Sequence, residues 1–392
     1  MRPRERARAR LPRVAFDFVD GGAGDEVTLA RNRSAFDDLA LVPRVLAGLS
    51  EVSTEIELFG QRLPSPVLLA PAGGASSASG TLGSGGDGDA AAARGAEAAG
   101  AIGVRAWSPR LEPVAGTRGE RRWSQLYLSR DRAQLAESVA AARRLGFSAL
   151  VLTADVPVAG NRERDEANGL TVPLRLTPRI ALDAIRRPRW LWHYLTSDTS
   201  GDGAPEKGVA GRLREVQSLA EAIREQFNPE QTWEDLRWLR DLWDGPLLVK
   251  GVLCAEDAEL ALEAGCDGVI VSNHGGRQLD GTPASIEALP EVVAAVDGRA
   301  EVLLDGGVRR GGDVVKALSL GAKACLVGRP WVFAVAVEGE AGVTRMLERL
   351  REEISRDLHL LGVGAVGELS PSYLRRRAGT EWQRIDEIGA SE

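Results

Sequence analysis

The stretch Ser272-Asn273-His274-Gly275-Gly276-Arg277 sets a histidine three residues from an arginine, directly after the apolar run Gly268-Val269-Ile270-Val271. Histidine is scarce here, with 3 in 392 residues. A neutral imidazole is suited to taking a proton near neutral pH, and a guanidinium fork can grip a carboxylate through two parallel hydrogen bonds. Polar residues also end other apolar runs. Gln125 and Tyr127 lie in RWSQLYL, Thr153 and Asp155 in SALVLTAD, and Lys250 closes PLLVKG. Pro71-Ala72-Gly73, Asp305-Gly306-Gly307 and Gly328-Arg329 close three more. Singly each has an ordinary explanation: a structurally satisfied histidine, a solvated lysine, an Asp-Gly-Gly turn. Together they suit one site, in which a base is paired with a carboxylate, a cation faces a developing anion, and glycines approach a phosphate.

The elements that must position them are eight apolar runs bounded by Gly, Pro or charge, the pattern of strands buried on both faces. They are 66–71, 101–106, 122–128, 148–155, 246–251, 268–273, 301–307 and 324–329. Helix-period segments fill most gaps. The spacing predicts a helix over 129–146, capped by Ser129 and stopped by Gly146, and another over 255–265. A third is expected over 282–298, with Thr282 as cap and Pro283 in the first helical position. Eight strands alternating with helices point to an α/β (β/α)8 TIM barrel, with an open doubly wound sheet as the rival. No GxGxxG follows the first strand, which weakens a dinucleotide-binding reading. In a barrel these polar residues fall at the C-terminal strand ends, where active sites lie. The loops DGGVRRGGD (305–313) and GRP (328–330) then fit an anion site, with Arg309 and Arg329 as cations.

Composition narrows the setting. With 44% hydrophobic and 27% charged residues the chain can bury a full core, and a net charge of −7 argues against a nucleic-acid surface. The opening MRPRERARAR is basic but no apolar region follows it, so a secretory signal is not expected. No run approaches the roughly 20 apolar residues of a membrane span. Cys254, Cys266 and Cys325 lack metal-ligand or CxxC spacing, which suits reduced thiols, no metal site and a cytoplasmic location. One domain over 1–392 is expected, with 1–65 as a helical cap at the bottom or side and 161–230 as a lid-like excursion after strand four. The Gly/Ser-rich run 73–89 reads as a mobile loop on the catalytic face. The segment RRPRWLWHYL (186–195) is basic and aromatic. It suits peripheral membrane contact, but the favoured expectation is a lid helix packing Trp190 and Trp192 on the barrel.

The blocks GVIVSNHGGRQLDGTP (268–283) and EVLLDGGVRRGGD (301–313) resemble the FMN-dependent α-hydroxy acid dehydrogenase/oxidase family. So do QLY (125–127), LTADVP (152–157), WLRDLWDGPLLVKG (238–251) and the N-terminal stretch 15–46. The resemblance implies FMN, a small L-2-hydroxy acid as substrate, and oxygen, a quinone or a protein as electron acceptor. It also implies a homotetramer. Carried over position by position, His274 is the base, Asp155 its orienting carboxylate, and Arg277 with Arg162 the substrate-carboxylate clamp. Tyr127 contacts the substrate oxygen, and Lys250 stabilises the anionic reduced flavin. Gln125, Thr153 and Ser272 hydrogen-bond the flavin edge, with Pro71, Ala72 and Gly73 near its N5. Asp305 binds the ribityl chain, while Gly307, Arg309, Gly328 and Arg329 hold the phosphate.

The chain departs from the family pattern at three places. Phe18 stands where a substrate-binding Tyr is usual, VRAWSP (104–109) lacks the usual flavin-facing Ser or Thr, and the Gly/Ser-rich run replaces an HPxGE-like segment. The resemblance also implies that Gly73, rather than Ala, favours an acceptor other than oxygen or a lactate monooxygenase-like outcome. A diverged flavoprotein acting on a larger or peptide-derived substrate, like the branch that matures mycofactocin, is the alternative. That branch lacks an Arg at the place of Arg277. An aldolase-type barrel using Lys250 as a Schiff base leaves the His/Arg pair and the phosphate loops unexplained.

Overall fold

The structure is a computed structural model and describes residues 3–73, 87–107, 113–114, 116–117, 119–169, 178–196, 226–378 and 381–384. Eight parallel strands close into a barrel in sequence order: β1 Val67–Leu69, β2 Gly103–Arg105, β3 Arg122–Leu126, β4 Ala149–Thr153, β5 Leu247–Val252, β6 Gly268–Val271, β7 Glu301–Asp305 and β8 Ala324–Val327. All eight apolar runs of the sequence are strands. The (β/α)8 expectation holds, and the open-sheet rival is excluded because β7 and β8 pair with each other while β8 pairs with β1.

The barrel interior is packed by side chains such as Leu68, Ile102, Trp123, Val151, Leu248, Ile270, Leu303 and Leu326, every one of them buried. An antiparallel hairpin, Ile56–Leu58 with Gln61–Leu63, closes the N-terminal end of the barrel, inserting Leu58 and Leu63 into that cluster. The rest of the N-terminal segment is not confined to the bottom or side. The helix Arg13–Asp20 buries Ala15, Phe16 and Val19, stacks Phe16 on Phe333 at 5.7 Å, and so brings Phe18 and Val19 to the cleft at the C-terminal mouth.

Local chemistry moves two helix starts. The helix after β3 is Arg132–Arg144, and its cap is Asp131, whose carboxylate accepts from Ala133 and Gln134 N–H; Ser129 instead receives the Asp131 N–H. Asp131, two residues further on, stands where its side-chain oxygen reaches the N–H groups two and three residues ahead. The helix expected from Thr282 begins at Ser285, because Glu287 folds back to accept the Ala284 N–H at 2.7 Å and Thr282 N–H is held by Thr28.

Of the excursion after β4, the helices Pro178–Ile185 and Pro188–Thr196 are described; most of the remainder of 161–230, and 74–86 of the Gly/Ser-rich run, lie outside the described residues. The two tryptophans separate here. Trp190 packs against the core, but Trp192 is 68% exposed, since two residues along a helix turn a side chain to nearly the opposite face. The expectation that both pack on the barrel is therefore corrected for Trp192.

Candidate active site

The strand ends open into one cleft at the C-terminal face. It is lined by His274, Arg277, Arg162, Tyr127 and Phe18. Lys250, Thr153, Gln125, Asp305, residues 71–73, Gly307, Arg309, Gly328 and Arg329 line it as well. Asp155 and Ser272 stand one layer behind this wall.

His274 sits just past β6 in the left-handed region (φ 57°), followed by Gly275 and Gly276 with φ 67° and 73°. A non-glycine residue there is strained by about 1–2 kcal/mol and persists only when its surroundings fix it. Its N–H donates to Ser272 Oγ at 3.1 Å, and its Nδ1 lies 3.1 Å from Asp155 Oδ1. Asp155 reaches this position past Gly251, where any Cβ would press on the Asp155 side chain and φ is 115°. Burial works against the Asp155 carboxylate, yet His274 and then Lys250 outweigh it and hold its pKa below the usual aspartate value. An ionised Asp155 takes the Nδ1–H, which leaves the Nε2 lone pair of His274 as the basic nitrogen.

Lys250, 2% exposed, pairs across the barrel register with Thr153. Its Nζ lies 2.9 Å from Ser272 Oγ and 3.0 Å from Asp305 Oδ2, and Ser272 Oγ donates to Asp305 Oδ2 at 3.2 Å. Burial opposes the ammonium, but Asp305 and Asp155 more than offset it and raise its pKa. The charge is thus permanent at neutral pH. Gln125 spends its amide on backbone, accepting from Trp107 N–H at 2.7 Å and donating to Leu126 O at 3.1 Å. Burial raises the Tyr127 pKa, so its hydroxyl stays neutral.

Arg277 donates from Nη1 to the carbonyls of Phe18 (2.7 Å) and Gly21 (3.2 Å). Burial, then Arg162 and Arg329, depress its pKa well below the usual arginine value. The phosphate-type end shows the same stress. Arg309 is pushed down to about 9 by burial, then by Arg329 and Arg33. Guanidinium groups crowded beyond their carboxylate partners make a place suited to an anion. The glycine conformations fit one: Gly307 has φ 84°, and a Cβ there would collide with the Asn32 carbonyl. Arg329 is used differently from the expectation that its side chain faces a phosphate. Its Nε, Nη1 and Nη2 donate to the carbonyls of Val19 (3.0 Å), Gly275 (2.9 Å) and Gly21 (2.7 Å). What remains for an anion is its charge and the N-terminus of the helical segment that starts at residue 329.

Trp107, Val156 and Phe227 also line the cleft and were not singled out in the sequence. Val156 follows the polar end of β4, so periodicity could have flagged it; Phe227 lies far from any strand end. Among the described residues no cluster of His, Cys, Asp or Glu could hold a metal ion.

A parallel barrel with a buried lysine, a His–Asp pair, paired arginines and two cationic, glycine-bearing loops at its mouth defines a flavin-type oxidoreductase site. The chain belongs to the FMN-dependent dehydrogenase family, whose model matches residues 7–376, and its cofactor is FMN. It is 41% identical over 389 residues to an L-lactate dehydrogenase of Caulobacter vibrioides, covering 95% of this chain and 96% of that one. It is 39% identical over 381 residues to an L-lactate oxidase of Nostoc sp., covering 94% and 95%. Among solved structures, the monotopic membrane protein (S)-mandelate dehydrogenase superposes with a TM-score of 0.86 at 36% identity, over 96% of this chain and 98% of that one.

Proposed function

We propose that the chain works as a single domain that oxidises an L-2-hydroxy acid to the 2-oxo acid, with His274 as the base. The observation that carries this is the His274–Asp155 pair at 3.1 Å, set beside Arg277 and Lys250 in one cleft. When bound, FMN supplies the two-electron acceptor. Arg277 and Arg162 hold the substrate carboxylate, which offsets their mutual repulsion. His274 Nε2 takes a proton from the substrate, and Asp155 stabilises the imidazolium that results. Tyr127, neutral, donates to the substrate oxygen. Lys250 and the ends of β3 and β4 would hold the flavin ring, and the ammonium would favour negative charge on it. Arg309, the charge of Arg329 and the Gly307 and Gly328 backbone receive the phosphate.

Phe18, Trp107, Val156 and Phe227 give the cleft an apolar side, which supports an acid with an apolar or aromatic side chain. The relatives named for lactate and mandelate bracket that range. Anaerobic mixing with lactate, glycolate, mandelate and longer 2-hydroxy acids tests the reading: the flavin band should bleach with at least one. No bleaching with any of them would turn the choice to the larger or peptide-derived substrate, and a His274→Ala variant bleaching at the parent rate would reject the base.

The acceptor is proposed to be a quinone or protein rather than oxygen, and the location cytoplasmic with peripheral membrane contact. No helix among the described residues is long and apolar enough to cross a membrane. Contact is supported by Leu182, Ile185 and Trp192, each more than half exposed, on the same two helices as Arg189, with Arg186 in the turn between them. Cosedimentation with anionic vesicles that Trp192→Ala abolishes would support it; equal recovery without vesicles would reject it. A homotetramer is proposed as well, with light scattering as its test.

A further inference from the structure

We propose that Asn32, on a helix outside the barrel, is a positioning residue for His274. The inference rests on the reading of His274 as the base. The helix Val27–Asp37 is hydrogen-bonded to the His274 loop. Asn32 and Asn273 form a reciprocal amide pair: Asn32 Nδ2 donates to Asn273 Oδ1, and Asn273 Nδ2 to Asn32 Oδ1, each at 2.8 Å. The two are 2% and 5% exposed, so water does not substitute for either bond.

Asn273 is then fully committed. Its second Nδ2 hydrogen goes to Pro283 O at 2.9 Å, its N–H to Ser285 Oγ at 3.2 Å, and its carbonyl accepts from Gly276 N–H at 3.0 Å. The next residue is His274, in a left-handed conformation that its own preference does not supply. The same helix is keyed to the far end of this loop, where Asp280 accepts the Thr28 N–H at 2.7 Å and the Val27 N–H at 3.2 Å. Ala23 N–H donates to Gly276 O at 2.8 Å. Strain at His274 is therefore held on both flanks from one helix, and the amide pair is the bond adjacent to it. Loosening it lets the imidazole leave the line between Asp155 and the substrate, while Arg277, Arg162 and the flavin-facing groups keep their places.

The test is anaerobic flavin reduction by the FMN-loaded enzyme with its best 2-hydroxy acid. Asn32→Ala should slow limiting reduction tenfold or more, roughly the loss of about 1.4 kcal/mol or more, while apparent substrate affinity and FMN retention stay within about threefold. Asn273→Ala and the double variant should fall by about the same factor as Asn32→Ala, because residues acting through one pair are not additive. Asn32→Asp keeps the acceptor for Asn273 and loses the donor; it should show the same split and stands in should the alanine variant not fold. The proposal is overturned if Asn32→Ala reduces its flavin at the parent rate while His274→Ala is inactive. It is equally overturned if rate, affinity and FMN retention fall together, or if the two single losses multiply. Parent-rate reduction in His274→Ala is a different failure, that of the base assignment.

Discussion

Arg277 meets Phe18 twice, through a 2.7 Å hydrogen bond to its carbonyl and a guanidinium 5.1 Å from its ring centroid. Arg162 lies over the same ring at 5.6 Å. The position that carries a tyrosine in the resembling enzymes thus holds both arginines by its π-face instead of sending a hydroxyl to the substrate. Phe18→Leu removes that attraction, worth about 0.5–2 kcal/mol, and should raise KM for the preferred acid by roughly 2- to 30-fold with a smaller change in kcat. Phe18→Tyr should lower KM for small acids such as glycolate and lactate. Steady-state kinetics on both variants decides; an unchanged KM in Phe18→Leu removes the ring from the clamp.

Asp155 fixes the tautomer of His274 only while it is ionised. Asp155→Asn keeps the shape but loses the charge, and flavin reduction should slow by on the order of 10²-fold or more. The same residue affects stability. Its folded pKa is depressed, so its contribution is present above the unfolded value near 3.8 and is lost as pH falls through the lower folded value. Thermal unfolding followed from pH 6 down to pH 3 should therefore show a steeper acid loss in the parent than in Asp155→Asn. Parallel curves would contradict the ionised pairing.

Much of this site was legible in the sequence because a barrel turns a local signal into a global one. Each buried run ends where its polar residues must face the mouth, so Lys250, Asp155, His274 and Asp305 could be grouped without knowing any contact. What was illegible lies in partners far apart along the chain. Asn32 and Asn273 are separated by 241 positions, and nothing local marks either as half of a pair. Arg329 ends β8 as an anion ligand would, yet its side chain turns to carbonyls at 19, 21 and 275, a direction set by the N-terminal helix. Ser129 gave way to Asp131 as a cap: two good acceptors stand two residues apart, and pattern alone does not rank them.

Lys250 is buried against Asp305, and breaking such a pair costs more than the pair contributes. Lys250→Met should destabilise the protein by about 3–5 kcal/mol by leaving Asp305 with Ser272 alone. Asp305→Asn added to it should restore much of the Tm but not the rate of flavin reduction, since no ammonium faces the ring. The folded pKa of Lys250 is raised, so its stabilisation is complete below the unfolded value near 10.5 and fades as pH rises through the higher folded value. Tm measured between pH 9 and pH 12 should fall faster for the parent than for the double variant. A double variant that reduces flavin normally would remove Lys250 from the chemistry.

Gly307 separates cofactor loading from folding. At φ 84° an alanine costs about 1–2 kcal/mol in backbone strain alone, and its Cβ has the Asn32 carbonyl in its way. The loop must shift, and with it the backbone and the Arg309 charge meant for the phosphate. Gly307→Ala should be purified pale, with its FMN dissociation constant raised by about tenfold or more while the helical circular dichroism is kept. Gly328→Ala makes the contrast. Its φ is −101° and a Cβ there would meet only Ala70, at an ordinary 3.9 Å, so FMN should be held more tightly than in Gly307→Ala. Equal loss in the two variants would mean that added bulk anywhere near the anion is enough, and that the left-handed turn at Gly307 has no special part in holding the phosphate.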